Sequence, residues 1–143
     1  MRIYAALAVL AGLAIAAFAQ TTVPSGRDVE LRGASELDWK PSTNLPPGAE
    51  YHLVREDPTT RGIQVIVKFP AKYSVPPHSH GADETLVVLR GKLRVHAGTS
   101  DRVLGPSDYA VLPAGVEHEL AVKGFGSCWV LATTNAPYNL KKP

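Results

Sequence analysis

Between residues 49 and 134 the sequence is cut into seven short runs rich in β-branched and apolar residues: AEYHLVRE, GIQVIVKFP, ETLVVLRG, GKLRVHAG, YAVLP, HELAVKG and SCWVLATT. Turn residues separate them, at Asp57-Pro58, Pro70, Pro76-Pro77, Arg90-Gly91, Gly98-Thr99, Gly105-Pro106, Pro113-Ala114-Gly115 and around Gly124 and Gly126. Short runs at nearly even spacing are the pattern of an all-β sandwich or barrel. After residue 20 no segment sustains a helical period with caps. The expectation is one antiparallel β domain.

The first segment does not belong to that pattern. Arg2 is followed by an apolar run over residues 3–18, closing on Ala17-Phe18-Ala19 before Gln20. A short basic start, a hydrophobic middle and a small-x-small end are the layout of a secretory signal peptide. A retained membrane anchor is the competing reading, but the run barely reaches the ~20 residues a spanning helix needs. Residues 1–19 are therefore read as a signal peptide cleaved after Ala19. The mature protein is expected to be secreted or periplasmic, with no stable membrane anchor. Residues 20–50, with Pro24, Gly26, Gly33, Pro41, Pro46, Pro47 and Gly48, read as an arm. It is expected to carry one short strand around residues 27–32 and to tuck Leu37 and Trp39 onto the body. Residues 51–143 make up the domain.

Charge excludes several partners. The chain has 15 basic and 13 acidic residues; without Arg2 the mature part is close to neutral. With no basic face and no Lys/Arg run, nucleic acid and anionic membrane surfaces are not expected partners. Cys128 is the sole cysteine, so no internal disulfide can form, and in SCWVLA it reads as a small buried hydrophobe.

The stretch PPHSHGADETLVVLRG carries the chemistry. In an extended strand His78 and His80 project to the same side. Gly81-Ala82-Asp83 can turn the chain, so that Glu84, opening the next strand, faces both imidazoles. Two imidazoles and a carboxylate are three metal ligands, and a fourth group is wanted. It appears in GPSDYAVLPAGVEHEL, where the tight turn Pro113-Ala114-Gly115 precedes His118 at the start of a strand.

Together these two stretches resemble the cupin superfamily. Its first motif runs Gly, five residues, His-x-His, three or four residues, Glu, six residues, Gly; here His78, His80, Glu84 and Gly91 fit, with Lys72 at the leading glycine. The second runs Gly-Asp, four residues, Pro-x-Gly, two residues, His, three residues, Asn. Asp108, Pro113, Gly115 and His118 fit it, with Ser107 at the glycine and Val122 at the asparagine. The resemblance spans residues 62–131, and the arm before it is similar to the lead-in of small bacterial cupins related to anti-sigma-factor domains. It implies an all-β cupin barrel, a double-stranded β-helix or jelly roll. It also implies that His78, His80, Glu84 and His118 bind a divalent transition metal such as Mn, Fe, Ni, Cu or Zn, with one or two coordination positions open.

Two functions follow from the resemblance. One is a small metal-dependent enzyme, acting by dioxygenase-type or Lewis-acid chemistry on a small oxygen-containing substrate. The other is a non-catalytic module that binds a metal or a small molecule. No acid–base partner stands out beyond the ligands, and no catalytic residue can be named. The family habit and the apolar outward strand faces imply a homodimer.

Other residues have plainer readings. His96 shares a solvated face with Lys92 and Arg94, opposite Leu93 and Val95. His52 reads as a surface or packing histidine, and Trp129 as core or interface. Tyr73 either lies at the pocket mouth or caps the barrel rim. One face of the strand Ile63, Gln64, Val65, Ile66, Val67, Lys68, Phe69 must line the barrel. Asp83 either accepts an imidazole N–H, as metal-bound histidines usually require, or is a surface acid in a turn.

Overall fold

The computed structural model describes residues 29–142. The expected signal peptide and the start of the arm lie outside them. A single 3-10 turn at Ala34–Glu36 is followed by eleven strands: β1 (Lys40–Pro41), β2 (Glu50–Glu56), β3 (Ile63–Phe69), β4 (Ser74–His80), β5 (Glu84–Arg90), β6 (Lys92–Ala97), β7 (Ser100–Leu104), β8 (Tyr109–Leu112), β9 (His118–Lys123), β10 (Cys128–Thr134) and β11 (Leu140–Lys141). They form two antiparallel sheets, in the orders β1-β2-β3-β10-β5-β8 and β11-β4-β9-β6-β7. No α-helix occurs among the described residues. The expected all-β jelly-roll barrel is what the chain builds.

Alternation along the strands fills the space between the sheets. In β3, Val65, Val67 and Phe69 are buried while Lys68 faces out; in β10, Cys128, Val130, Ala132 and Thr134 are buried. Leu93, Val88, Val130 and Cys128 are the most completely enclosed side chains. Removing an aliphatic side chain of this size from water contributes about 1.5–3 kcal/mol. Register stacks the interior in layers. Leu53, Val65, Ala132 and Leu86 stand opposite one another across β2, β3, β10 and β5, and Tyr51, Val67, Val130 and Val88 form the next layer inward. Gly91 joins β5 to β6 at φ +82°, and a Cβ there would sit 2.6 Å from the Ser127 carbonyl oxygen. That close approach explains why the first motif ends on glycine.

Four strands escaped the sequence pattern, each for a physical reason. β4 contains Pro76-Pro77, which reads as a break, so that only its His78–His80 end reads as extended. The two prolines lie where its register with β9 shifts between Val75 and His78, a bulge that tolerates a residue without an N–H. β7 is an edge strand with Ser100, Asp101, Arg102 and Val103 all exposed, so it has no apolar alternation to read. β1 and β11 are two residues long and exist through their neighbours β2 and β4. The short strand expected around residues 27–32 is not found in its described part: residues 29–32 carry no strand, and both Val29 and Leu31 are exposed.

Candidate metal centre

Three strand ends deliver the site. His78 and His80 alternate on the inner face of β4, Glu84 is the first residue of β5, and His118 is the first of β9. His78 and His118 are direct register partners. All four are buried, with 2–5% of their surface exposed. The ring centroids of His78 and His118 are 4.2 Å apart; His80 lies 4.9 Å from His78 and 5.2 Å from His118. One nitrogen from each of the three rings lies within 4.8 Å of the others.

Backbone carbonyls decide which nitrogens those are. His78 Nδ1 donates to the Pro76 oxygen at 2.8 Å, His118 Nδ1 to that of Val116 at 3.0 Å, and His80 Nδ1 to that of Asn139 at 2.9 Å. With the proton held at Nδ1, each neutral ring turns its Nε2 lone pair inward. The Glu84 carboxylate completes the set, its Oε2 lying 3.4 Å from His80 Nε2 and 3.8 Å from His118 Nε2. His118 Nε2 is buried and has no hydrogen-bond partner. A buried acceptor left unpaired is costly. Three imidazole nitrogens and a carboxylate oxygen are donors that suit first-row divalent metals, and an ion among them would use that lone pair. The donor set therefore fits a metal.

Burial and charge act on the rings in opposite directions. Burial holds the His78 and His118 imidazoles below their ordinary range. It opposes charge on His80 too, but there the hydrogen bond and charge of Glu84, with the Asn139 carbonyl, outweigh it and raise the value. In the metal-free protein His80 is thus the ring suited to pair with Glu84 as an ion.

The structure brings together the four residues expected from sequence, and of the two readings of Asp83 it finds the acid in a turn. Its carboxylate accepts from the Ala114 backbone N–H and from the Asn135 side chain, both at 2.9 Å, and from no imidazole. Backbone carbonyls had already taken those protons. Of the two readings of Tyr73, the rim cap is the one found: its hydroxyl donates to the Pro46 carbonyl and its ring stacks on Phe69 at 5.3 Å. His52 contacts the Asp38 carbonyl at 3.2 Å, and Arg94 is paired with Asp101 and Glu119 on the outer face. Trp129 packs edge-on against Trp39 at 5.0 Å, over which Lys68 Nζ sits at 4.5 Å.

Two site residues were not legible. Tyr138 lies with its ring 4.8 Å from that of His80, and Asn139 supplies the carbonyl that orients His80. The Asn139 side chain also accepts from Gly81 N–H at 2.7 Å, and β11 then pairs with β4, Leu140 opposite His80. In sequence NAPYNLKKP is a polar, proline-bearing tail without period. Only the β11 pairing gives it a place. Burial pushes the Tyr138 phenol well above its usual value, so it stays a neutral donor. Beside His78, His80 and Glu84 a cavity of about 220 Å³ opens between the sheets.

Comparison with known proteins agrees with this architecture. A family model described as the ChrR cupin-like domain matches residues 30–136. The chain belongs to the ChrR cupin-like family. That membership is in keeping with the resemblance of its arm to anti-sigma-factor-type cupins. This ChrR cupin-like chain is 35% identical over 79 residues to the DNA damage-repair/toleration protein DRT102 of Arabidopsis thaliana, a stretch covering 54% of the chain and 24% of that protein. It thus spans about a quarter of the curated relative. KdgF from Halomonas sp. superposes with a TM-score of 0.60 at 25% identity, over 71% of this chain and 91% of KdgF. The polyketide cyclase RemF from Streptomyces resistomycificus superposes with a TM-score of 0.68 at 14% identity, covering 80% and 85%. At that identity the likeness to RemF is one of fold.

Proposed function

We propose that this cupin holds one divalent transition-metal ion (Mn, Fe, Ni, Cu or Zn) through His78, His80, His118 and Glu84, and that it acts as a small metal-dependent enzyme on an oxygen-containing molecule bound in the adjoining cavity. The observation that carries the reading is the convergence of three buried imidazoles whose Nδ1 protons are tied to backbone carbonyls, leaving His118 Nε2 without a partner. When bound, the metal supplies a Lewis acid, or in the redox-active cases a centre for dioxygenase-type chemistry. The chain's own contribution is positioning. Carbonyls fix the rings, the apolar cavity wall limits water, and Tyr138 offers a neutral hydroxyl beside His80.

A non-catalytic binding module is the second reading. It is favoured by the cavity lining, which among the described residues offers no titratable group beyond His78, His80, Glu84 and the phenols of Tyr51 and Tyr138. Residues 1–19 are proposed as a cleaved leader that places the protein in the periplasm or outside the cell, residues 20–50 as the arm, and residues 51–143 as the domain.

The deciding experiment is metal content by mass spectrometry, run beside the His78→Ala/His118→Ala double variant. Close to one ion per chain, lost in the variant, supports the site. A redox-active ion would send the protein to oxygen-uptake assays. No ion in either protein, with both folded, would sink the reading.

A further inference from the structure

We propose that the cavity takes a compact molecule with its oxygen donors at one end and an apolar body, and turns away molecules with a second charged or polyhydroxylated end. The head of such a ligand rests on the metal reading above; its body rests on the cavity alone.

The strand register makes the interior polar at one end. Glu84 stands opposite Thr134 at the histidine end of the barrel. One two-residue step inward, roughly 7 Å along a strand, come Leu86, Ala132, Val65 and Leu53. Across the cavity Leu120 lines the same region from the other sheet. Thr134 has no proton to offer a ligand, because its hydroxyl donates to the Ala136 carbonyl at 2.8 Å while accepting from Ile63 N–H at 3.1 Å. The other polar groups on the lining are the Asn44 side chain and the Tyr51 and Tyr138 phenols, none of them a cation. Among the described residues no lysine or arginine lines the cavity.

The consequence is a sharp asymmetry of solvation. A carboxylate or hydroxyl at the head can meet the metal and the Tyr138 phenol. A carboxylate at the far end would meet Leu53, Val65 and Leu86 and, in the next layer, the single phenol of Tyr51, with no cation to replace its lost water. A row of hydroxyls along the body would likewise lose more hydrogen bonds than Tyr51 and Asn44 could return. A volume of about 220 Å³ sets a small size for the ligand.

The test uses the zinc-loaded protein and three six-carbon monocarboxylate-headed probes: hexanoate, adipate and gluconate. Adipate adds only a far carboxylate; gluconate adds hydroxyls along the chain, and its 2-hydroxyl, beside the head carboxylate, gives it one extra donor to the metal that the expected preference must outweigh. Calorimetric titration should find hexanoate bound at least about tenfold more tightly than either. Equal or tighter binding of adipate or gluconate overturns the proposal. If the protein takes up neither zinc nor manganese, iron, nickel or copper, the metal reading has failed. The metal-free protein with 1-hexanol against 1,6-hexanediol then decides the cavity separately. Preference for 1-hexanol upholds the apolar body, and parity between the alcohols rejects it.

Discussion

Lys72 and Ser107 adopt the same backbone conformation, φ 62° and 74°, at equivalent positions of two turns. In the first, Tyr73 N–H donates to the Pro70 carbonyl; in the second, Asp108 N–H donates to that of Gly105. Each residue is the third of a four-residue turn with positive φ, the type II pattern that favours glycine. These are also the two places where the cupin motifs carry glycine and this chain does not. The turns keep the shape that the missing glycines would have allowed.

Replacing either residue by glycine should therefore stabilise the protein. Both side chains are exposed, so no packing is lost. The left-handed conformation costs a non-glycine residue about 1–2 kcal/mol, and the extra freedom of glycine in the unfolded chain returns roughly half of that. Lys72→Gly and Ser107→Gly should each gain about 0.5–1 kcal/mol in urea denaturation, near-additively. A loss of stability in either variant would mean that its side chain holds the turn.

These two substitutions also mark how far the sequence could be read. Strands with apolar alternation, such as β3, β5 and β10, were plain, because a half-buried strand must repeat every two residues. So were the four candidate ligands, since strand alternation and a tight turn pointed to His78, His80, Glu84 and His118 and the resemblance to the cupin motifs named them as a set. Features supported only by a partner were invisible. β7 lies exposed on an edge, β11 exists by pairing with His80 and Ser79, and Tyr138 reaches the site through that pairing. The imidazole reading of Asp83 fails for a related reason. Sequence proximity to the histidines said nothing of the Pro76, Val116 and Asn139 carbonyls that already held their protons.

Acid should destabilise the metal-free protein. Burial keeps His78 and His118 below the ordinary value of 6.5, so the unfolded chain binds protons there that the folded chain refuses. Their contribution is present above about pH 6.5 and is lost as pH falls below it. His80 has the opposite sign: Glu84 raises it against burial, and its contribution is lost as pH rises through the raised value. Two groups act against one. Thermal melts of the metal-free protein should show a lower midpoint near pH 5 than near pH 7. Bound metal should be released over the same acid range, because protons compete for Nε2. A midpoint that climbs on acidification would contradict this account.

Asp83 should matter to the site without touching it. Its carboxylate ties the Ala114 N–H of the second motif's turn to Asn135, which in turn accepts from Asp83 N–H at 3.1 Å. The next residue of that turn, Gly115, donates to the His80 carbonyl at 2.8 Å. Asp83→Ala should cost about 1–2 kcal/mol for the hydrogen bonds lost. It should also weaken metal retention several-fold in a chelator competition, by loosening His118 relative to His80. Wild-type stability together with wild-type retention would remove this role.

The outer face of the first sheet predicts association. His52, Ile66, Leu131, Val87 and Tyr109 stand in direct register across five strands, an almost wholly apolar row on the side away from the cavity. Leu89, Tyr109 and Val111 are 44%, 67% and 59% exposed beside it, on and next to the edge strand β8. A contiguous apolar surface at an unpaired edge is where a soluble domain tends to find a partner. We expect a homodimer through this face, with the cavities left open. Sedimentation equilibrium should give twice the chain mass, and Tyr109→Lys/Val111→Glu should return the monomer. Because neither side chain is part of the core, the variant should keep its metal and its circular dichroism. A protein already monomeric at the highest workable concentration would leave this face without the partner assigned to it.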